Sequence, residues 1–195
     1  MNRRTLTTAL AVGLWATALA QSHRWMRTYD GSGAGSSDVQ GSVALYPDTT
    51  YRALAIWNAQ GGARMRSRSV ASNGDTTWTR VMEFPNVTLN SGSSWATDRR
   101  ADGTWIWSGV VYPSGSTEPD GLLVCFTSTG DTLWTKRTHL PGYDSFLCMT
   151  QTGDGGCVVA GQAVNSDSQT LLIRFDHAGD TLWTRELGQT QYDEA

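Results

Sequence analysis

The sequence predicts an all-β chain built from one four-stranded antiparallel unit used several times over. The first observation is the hexapeptide Gly-Asp-Thr-Leu-Trp-Thr, which begins at Gly130 and again at Gly179. A near copy, Gly-Asp-Thr-Thr-Trp-Thr, begins at Gly74, and a base follows each copy: Arg80, Lys136 or Arg185. Identity at intervals of roughly fifty residues marks a repeated supersecondary unit. The second observation is a marker in phase with the first. Asp48-Thr49-Thr50-Tyr51, Asp102-Gly103-Thr104-Trp105 and Asp154-Gly155-Gly156-Cys157 each follow a tryptophan anchor by 20 to 24 residues. The third is composition: 21 glycines and 9 tryptophans with only 17% charged residues suit short strands and tight turns.

Residues 1–20 read as an export signal. Arg3 and Arg4 form a basic end, Leu10 to Leu19 an apolar run, and Ala18-Leu19-Ala20 a small-x-small cleavage site before Gln21. The run is short for a bilayer span, so cleavage and general secretion are expected over a retained anchor or twin-arginine export. The expected product is a secreted or outer cell-surface protein of bacterial type, with no membrane span after cleavage. Residues 21–195 then divide into units at about 26–82, 83–138 and 139–187, with a stub at 188–195. Counting back from Trp78 reaches Trp25-Met26-Arg27, a worn copy of Trp-Thr-Arg.

Within the third unit the strands are predicted at 144–150, 157–164, 170–176 and 180–187. Leu171, Ile173 and Phe175 alternate with the period of a half-buried strand, as do Leu122, Val124 and Phe126. Asn73-Gly74, Thr129-Gly130 and Ala178-Gly179 close the last hairpin of each unit, where a tight turn needs positive φ. The aspartate after that glycine is expected to bond turn amides. Tyr143-Asp144 and Tyr192-Asp193 each lie nine residues after an anchor tryptophan and open the next unit.

Four strands in about fifty residues is the size of a propeller blade. The fold class expected is therefore a partial β-propeller of about three four-stranded antiparallel blades plus the start of a fourth. One blade cannot bury both faces alone, and a flat indole fills the gap to its neighbour. Trp78, Trp134 and Trp183 are thus expected at equivalent, largely buried positions. Gly74, Gly130 and Gly179, with Asp75, Asp131 and Asp180, complete the structural repeat.

Asp176 to Trp183 resembles the tryptophan-docking motif of quinoprotein-like propellers. The succession from Gly153 through Trp183 to Tyr192-Asp193-Glu194-Ala195 resembles the repeats of secreted Bacteroidetes-type propeller proteins. The resemblance implies a multi-bladed parent, commonly with a C-terminal sorting domain. Because closed propellers use four or more blades, the chain is expected to be a fragment of a larger protein.

Other features narrow the function. A net charge of −3 offers no basic field for nucleic acid. Cys125, Cys148 and Cys157 lie in apolar surroundings and read as buried unpaired thiols, a Cys148–Cys157 bridge across a hairpin being out of register. His23, His139 and His177 are isolated, no zinc spacing occurs, and neither cofactor nor metal is expected. Nine aspartates occupy repeat-equivalent slots: Asp38, Asp48, Asp75, Asp102, Asp131, Asp144, Asp154, Asp180 and Asp193. They read as structural, since a single active site needs its acid once. The loop from Pro113 to Gly121 departs most from the repeat and carries Glu118 and Asp120, either solvated loop charges or an acid–base or calcium pair. Trp95, Trp105 and Trp107 lie outside the repeated tryptophan slot; Trp105 and Trp107 share a strand face and form either core or a ligand platform.

Catalytic residues are not identified, so the expected function is a non-catalytic scaffold that binds protein or carbohydrate at the cell surface. The alternative is part of a glycosidase-like or quinoprotein-like propeller enzyme whose catalytic residues lie mostly outside this chain.

Overall fold

The computed structural model describes residues 37–91, 96–164 and 168–188. The export segment, Trp25, Trp95, Asp193 and the stub beyond residue 188 lie outside the described residues, as does the side chain of Asp38. The described residues form strands and connections only, in three antiparallel sheets whose strands follow chain order. Sheet I contains β1 (Ser37–Leu45), β2 (Tyr51–Ala59), β3 (Gly62–Val70) and β4 (Thr76–Pro85). Sheet II contains β5 (Val87–Ser91), β6 (Thr97–Arg99), β7 (Trp105–Pro113), β8 (Asp120–Phe126) and β9 (Thr132–Arg137). Sheet III contains β10 (Tyr143–Gln151), β11 (Cys157–Val164), β12 (Ser168–Phe175) and β13 (Thr181–Leu187).

One end of the sheets is made of six hairpins of one design. In the β8–β9 loop the Thr127 N–H donates to the Asp131 carbonyl at 2.8 Å, and the Gly130 N–H to the Thr127 carbonyl at 3.0 Å. The same pair of bonds closes 46–50, 71–75, 100–104, 152–156 and 176–180. The fourth loop residue takes positive φ, the type I turn plus bulge of three-residue hairpins. Glycine fills that position in five of the six. Thr49, at φ 62°, fills the sixth.

In the 46–50, 100–104 and 152–156 hairpins, Asp48, Asp102 and Asp154 hydrogen-bond within the turn. Asp48 and Asp102 each accept from the backbone and hydroxyl of Thr50 and Thr104. Asp154 accepts from the Thr152 hydroxyl and the Gly156 N–H, and its pKa is drawn down to about 2. In the other three hairpins the arrangement differs from expectation. The N–H groups of Asp75, Asp131 and Asp180 donate to side chains of Asn73, Thr127 and Asp176. The carboxylates of Asp131 and Asp180 then face the preceding sheet.

There they meet the base two residues beyond the tryptophan. Arg80 Nε lies 3.0 Å from Asp131, and Lys136 Nζ lies 2.6 Å from Asp180. The tryptophans make the same step. A Cβ on Gly130 would overlap the Trp78 ring, and one on Gly179 would come within 2.8 Å of Trp134 Cη2. Each indole thus lies against the bare turn glycine of the next sheet, a position closed to any side chain. Trp78 and Trp134 are partly buried. Trp183 is 39% exposed, because none of the described residues supplies the following sheet.

The register explains why the residue before each tryptophan varies. Ser69 pairs Trp78 but Val70 pairs Thr76; Cys125 pairs Trp134 but Phe126 pairs Thr132; Arg174 pairs Trp183 but Phe175 pairs Thr181. Thr77, Leu133 and Leu182 are bulged residues, exposed and free of packing constraint.

Sheet II is the middle layer. Trp105, Trp107, Leu122, Val124 and Phe126 pack against Leu54, Ile56 and Met65 of sheet I. Ile106, Leu123 and Cys125 pack against Phe146, Val159, Leu171 and Ile173 of sheet III. β8 is therefore buried along its whole length, not half-buried as its alternation suggested, because both faces have partners. β12 keeps the half-buried pattern. Among the described residues its sheet has one covered face.

The first strand of sheet II is interrupted. β5 and β6 pair successive parts of β7, with the break opposite Ser108. β1 and β10 carry register shifts at the corresponding point, so a bulge in two sheets becomes an insertion in the third.

Thr49 is a β-branched residue held in the left-handed region, a conformation that costs of order 1–3 kcal/mol. Allowing for the greater unfolded-state entropy of glycine, Thr49→Gly is expected to stabilise the chain by about 1 kcal/mol. Urea denaturation measures it; equal or lower stability would contradict the strain.

Candidate functional site

The opposite end carries the β2–β3 and β7–β8 loops and the connections between sheets. The Asn86 N–H donates to Gly61 O at 3.0 Å, and the Ser114 N–H donates to Asn86 O at 2.9 Å. These bonds tie the hairpin of sheet I, the connection to sheet II and the long loop of sheet II side by side. Asn86 itself holds φ at 58°. Between them runs a groove of about 360 Å³, lined by Gly61, Gly62, Asn86, Tyr112, Ser114 and Ser116 among others. The loop is braced internally, with Ser116 Oγ donating to Glu118 O at 2.9 Å and accepting from the Glu118 N–H at 3.1 Å.

Sequence reasoning placed Glu118 and Asp120 together as loop charges. The structure separates them. Glu118 is exposed, while Asp120 opens β8 at 1% exposure. One Asp120 oxygen is bonded by Arg137 and the other lies 2.8 Å from His139 Nδ1. Both partners come from the end of β9 and the connection beyond it, 17 and 19 residues along the chain. Asp120 is a clamp on the sheet II to sheet III connection, not a solvated loop charge paired with Glu118.

Asp144, fully buried, makes a second clamp. It accepts from the Gly121 N–H at 2.9 Å, the Thr138 hydroxyl at 2.9 Å and the Leu140 N–H at 3.4 Å. Burial raises its pKa, and those three donors oppose the rise. Asn58 performs a similar task between sheets I and II, donating to Leu89 O and accepting the Leu89 N–H. Tyr112 lines the groove beside Tyr143; burial, then the neighbouring Tyr143 phenol, raises its pKa.

Trp105 and Trp107 are wholly buried and offer no ring to solvent. Trp105 stacks on Phe126 with centroids 4.4 Å apart and donates from Nε1 to Thr127 O at 3.0 Å. The three thiols are free. Cys125 and Cys157 are buried, and burial pushes Cys157 up to about 11. Cys148 pairs Ala160 while Cys157 pairs Gln151, the misregister the sequence suggested. Buried Arg100 lies over the Trp134 ring at 5.5 Å and reaches Cys125 Sγ at 3.7 Å. Among the described residues no group of three or more His, Cys, Asp or Glu side chains could hold a metal ion. Among them also, no helix is long and apolar enough to cross a membrane.

The residues that sequence reasoning missed are Tyr112, His139 and Arg137. Their only signal was position, next to the variable loop or the unit boundary. Comparison with known proteins adds no assignment: no family model matches the chain, and no curated protein is significantly similar to it.

His139 is held above its ordinary pKa of 6.5, first by the hydrogen bond to Asp120 and then by its charge, with Asp144 adding slightly and Arg137 opposing. Its contribution to stability is complete below pH 6.5 and is lost as pH rises through the raised folded value. An NMR titration is expected to place His139 above 6.5 and to move it back down in Asp120→Asn. A wild-type value at or below 6.5 would contradict the clamp.

Proposed function

We propose that the three sheets are successive blades of a β-propeller, and that the chain is a secreted or cell-surface binding scaffold without catalytic function of its own. Support for the blade reading comes from chain-ordered antiparallel sheets that stack face to face through an equivalent indole and turn glycine at both junctions. The further blades, the cleaved export signal and the bacterial cell-surface address stand as parts of the same proposal, on the sequence patterns alone.

The observation that carries the binding reading is the groove between the Gly61-Gly62 hairpin and the Pro113 to Gly121 loop. It combines one aromatic side chain, Tyr112, with small and hydroxyl-bearing residues such as Ser114 and Ser116. That mixture suits a polyhydroxylated ligand or a polypeptide segment, since tyrosine supplies rigid contact area and serine supplies adaptable hydrogen bonds. Variable loops on a rigid scaffold are where recognition is usually carried. A glycan is the ligand we favour, because the groove is short and its lining is mostly polar.

A glycan array probed with the whole chain and with Tyr112→Ala tests the reading. Losing the ring contact is expected to weaken binding about tenfold or more, as for an aromatic anchor of 1.4 kcal/mol or above. Tyr112 is half-buried, so some loss of thermal stability is expected as well, and binding is compared at a temperature where both proteins are folded. Identical binding by both proteins would contradict the assignment of the groove, and turnover of a glycoside abolished by Glu118→Gln would contradict the non-catalytic role.

A further inference from the structure

The outer face of sheet III repeats the tryptophan and the base of the docking face on the two sheets before it. On sheet I, Trp78 covers Gly130 and Arg80 pairs with Asp131; on sheet II, Trp134 covers Gly179 and Lys136 pairs with Asp180. On sheet III the same positions hold Trp183 and Arg185. Their local geometry is already that of the occupied sites. Arg80 donates from Nη1 to the carbonyl of Thr79 at 3.2 Å while it holds Asp131. Arg185 donates from Nη1 to the carbonyl of Thr184 at 3.2 Å, with no carboxylate among the described residues to hold. The bulge that aims the indole recurs as well, with Trp183 opposite Arg174 and Leu182 skipped. Leu172 stands where buried Leu123 stands on sheet II, and it is only partly covered.

We infer that this face is a docking surface for one further sheet carrying a Gly-Asp-Thr hairpin of the same kind, its glycine under Trp183 and its aspartate against Arg185. The partner's chemistry follows from the two occupied precedents. Only glycine leaves room for the indole, and only a carboxylate at the next position answers the base. A surface that merely sheltered an aromatic ring would need neither. The inference rests on the blade reading of the sheets and is independent of the groove at the other end.

The test extends the full chain beyond Ala195 with a copy of residues 147–188, which continues the repeat in phase from Tyr192-Asp193. Trp183 is read as the difference in acrylamide quenching between each protein and its Trp183→Phe variant. In the extended chain Trp183 is expected to become shielded. Arg185→Glu is expected to lower the melting temperature of the extended chain by about 2 °C, as for a partly exposed ion pair. Combining it with Asp180→Arg in the appended copy is expected to recover that loss, and Arg185→Glu is expected to leave the original chain unaffected.

Unchanged quenching in the extended chain, or charge reversals that simply add, would overturn the inference. So would a Trp183 already shielded in the original monomer, which assigns the face to the chain's own last residues. Shielding that grows with concentration in the original chain assigns it to a second copy, with the same consequence. Tyr112-dependent glycan binding is measured separately, so failure there leaves this result intact.

Discussion

Everything in the molecule is arranged around an indole laid on a glycine across the gap between neighbouring sheets. A single antiparallel sheet with two apolar faces cannot be stable in water, and these sheets solve the problem by stacking. Near the periphery of each contact, the tryptophan of one sheet seals the apolar interior against the hairpin of the next. Burying much of such a ring contributes roughly 2 kcal/mol. The accompanying Arg80–Asp131 pair, with both side chains about half exposed, contributes at most about 1 kcal/mol. Of these two contacts the ring contributes more, while the ion pair selects which turn it rests on.

That division of labour accounts for the composition of the repeat. Glycine is required twice over, once for the positive φ of the hairpin and once for the space the ring occupies. Aspartate follows it because the preceding sheet presents a base. Threonine begins the outer strand, the variable residue is bulged outward, and tryptophan comes next on the inward face. The six-residue motif encodes a turn, a bulge and an intersheet contact together. The opposite end is fastened differently, by buried Asp120 and Asp144 and partly buried Asn58, which hold the connections between sheets. Freed from packing, the loops there shape the groove.

Local features were legible in the sequence. The strands predicted at 157–164 and 180–187 agree with β11 and β13 to within a residue, since alternation and Gly-containing turns depend only on near neighbours. What depended on distant neighbours was not legible. Alternation in β8 looked half-buried, yet the intervening residues Leu123 and Cys125 also meet a sheet. Asp120 read as a loop charge because its partners Arg137 and His139 arrive from across the sheet. The roles of Asp131 and Asp180 were assigned to their own turns because the bases that bind them lie 51 and 44 residues earlier. The break between β5 and β6, opposite Ser108, has no local marker in the sequence. Trp183 shares a motif with two partly buried tryptophans and differs only in lacking the next sheet among the described residues.

The central claim is that Trp78 and Gly130 act as a matched pair, and a double-mutant cycle measures it most directly. Urea unfolding of the chain, of Trp78→Ala, of Gly130→Ala and of the double variant gives the coupling free energy. With the ring in place, a methyl on Gly130 must displace it; with the ring removed, the backbone strain of alanine at positive φ and a tight 3.0 Å approach to the Ser67 hydroxyl remain. The account predicts a coupling of about 1 kcal/mol or more, with Gly130→Ala markedly less damaging once Trp78 is gone. Additive effects, agreeing within about 0.5 kcal/mol, would contradict it.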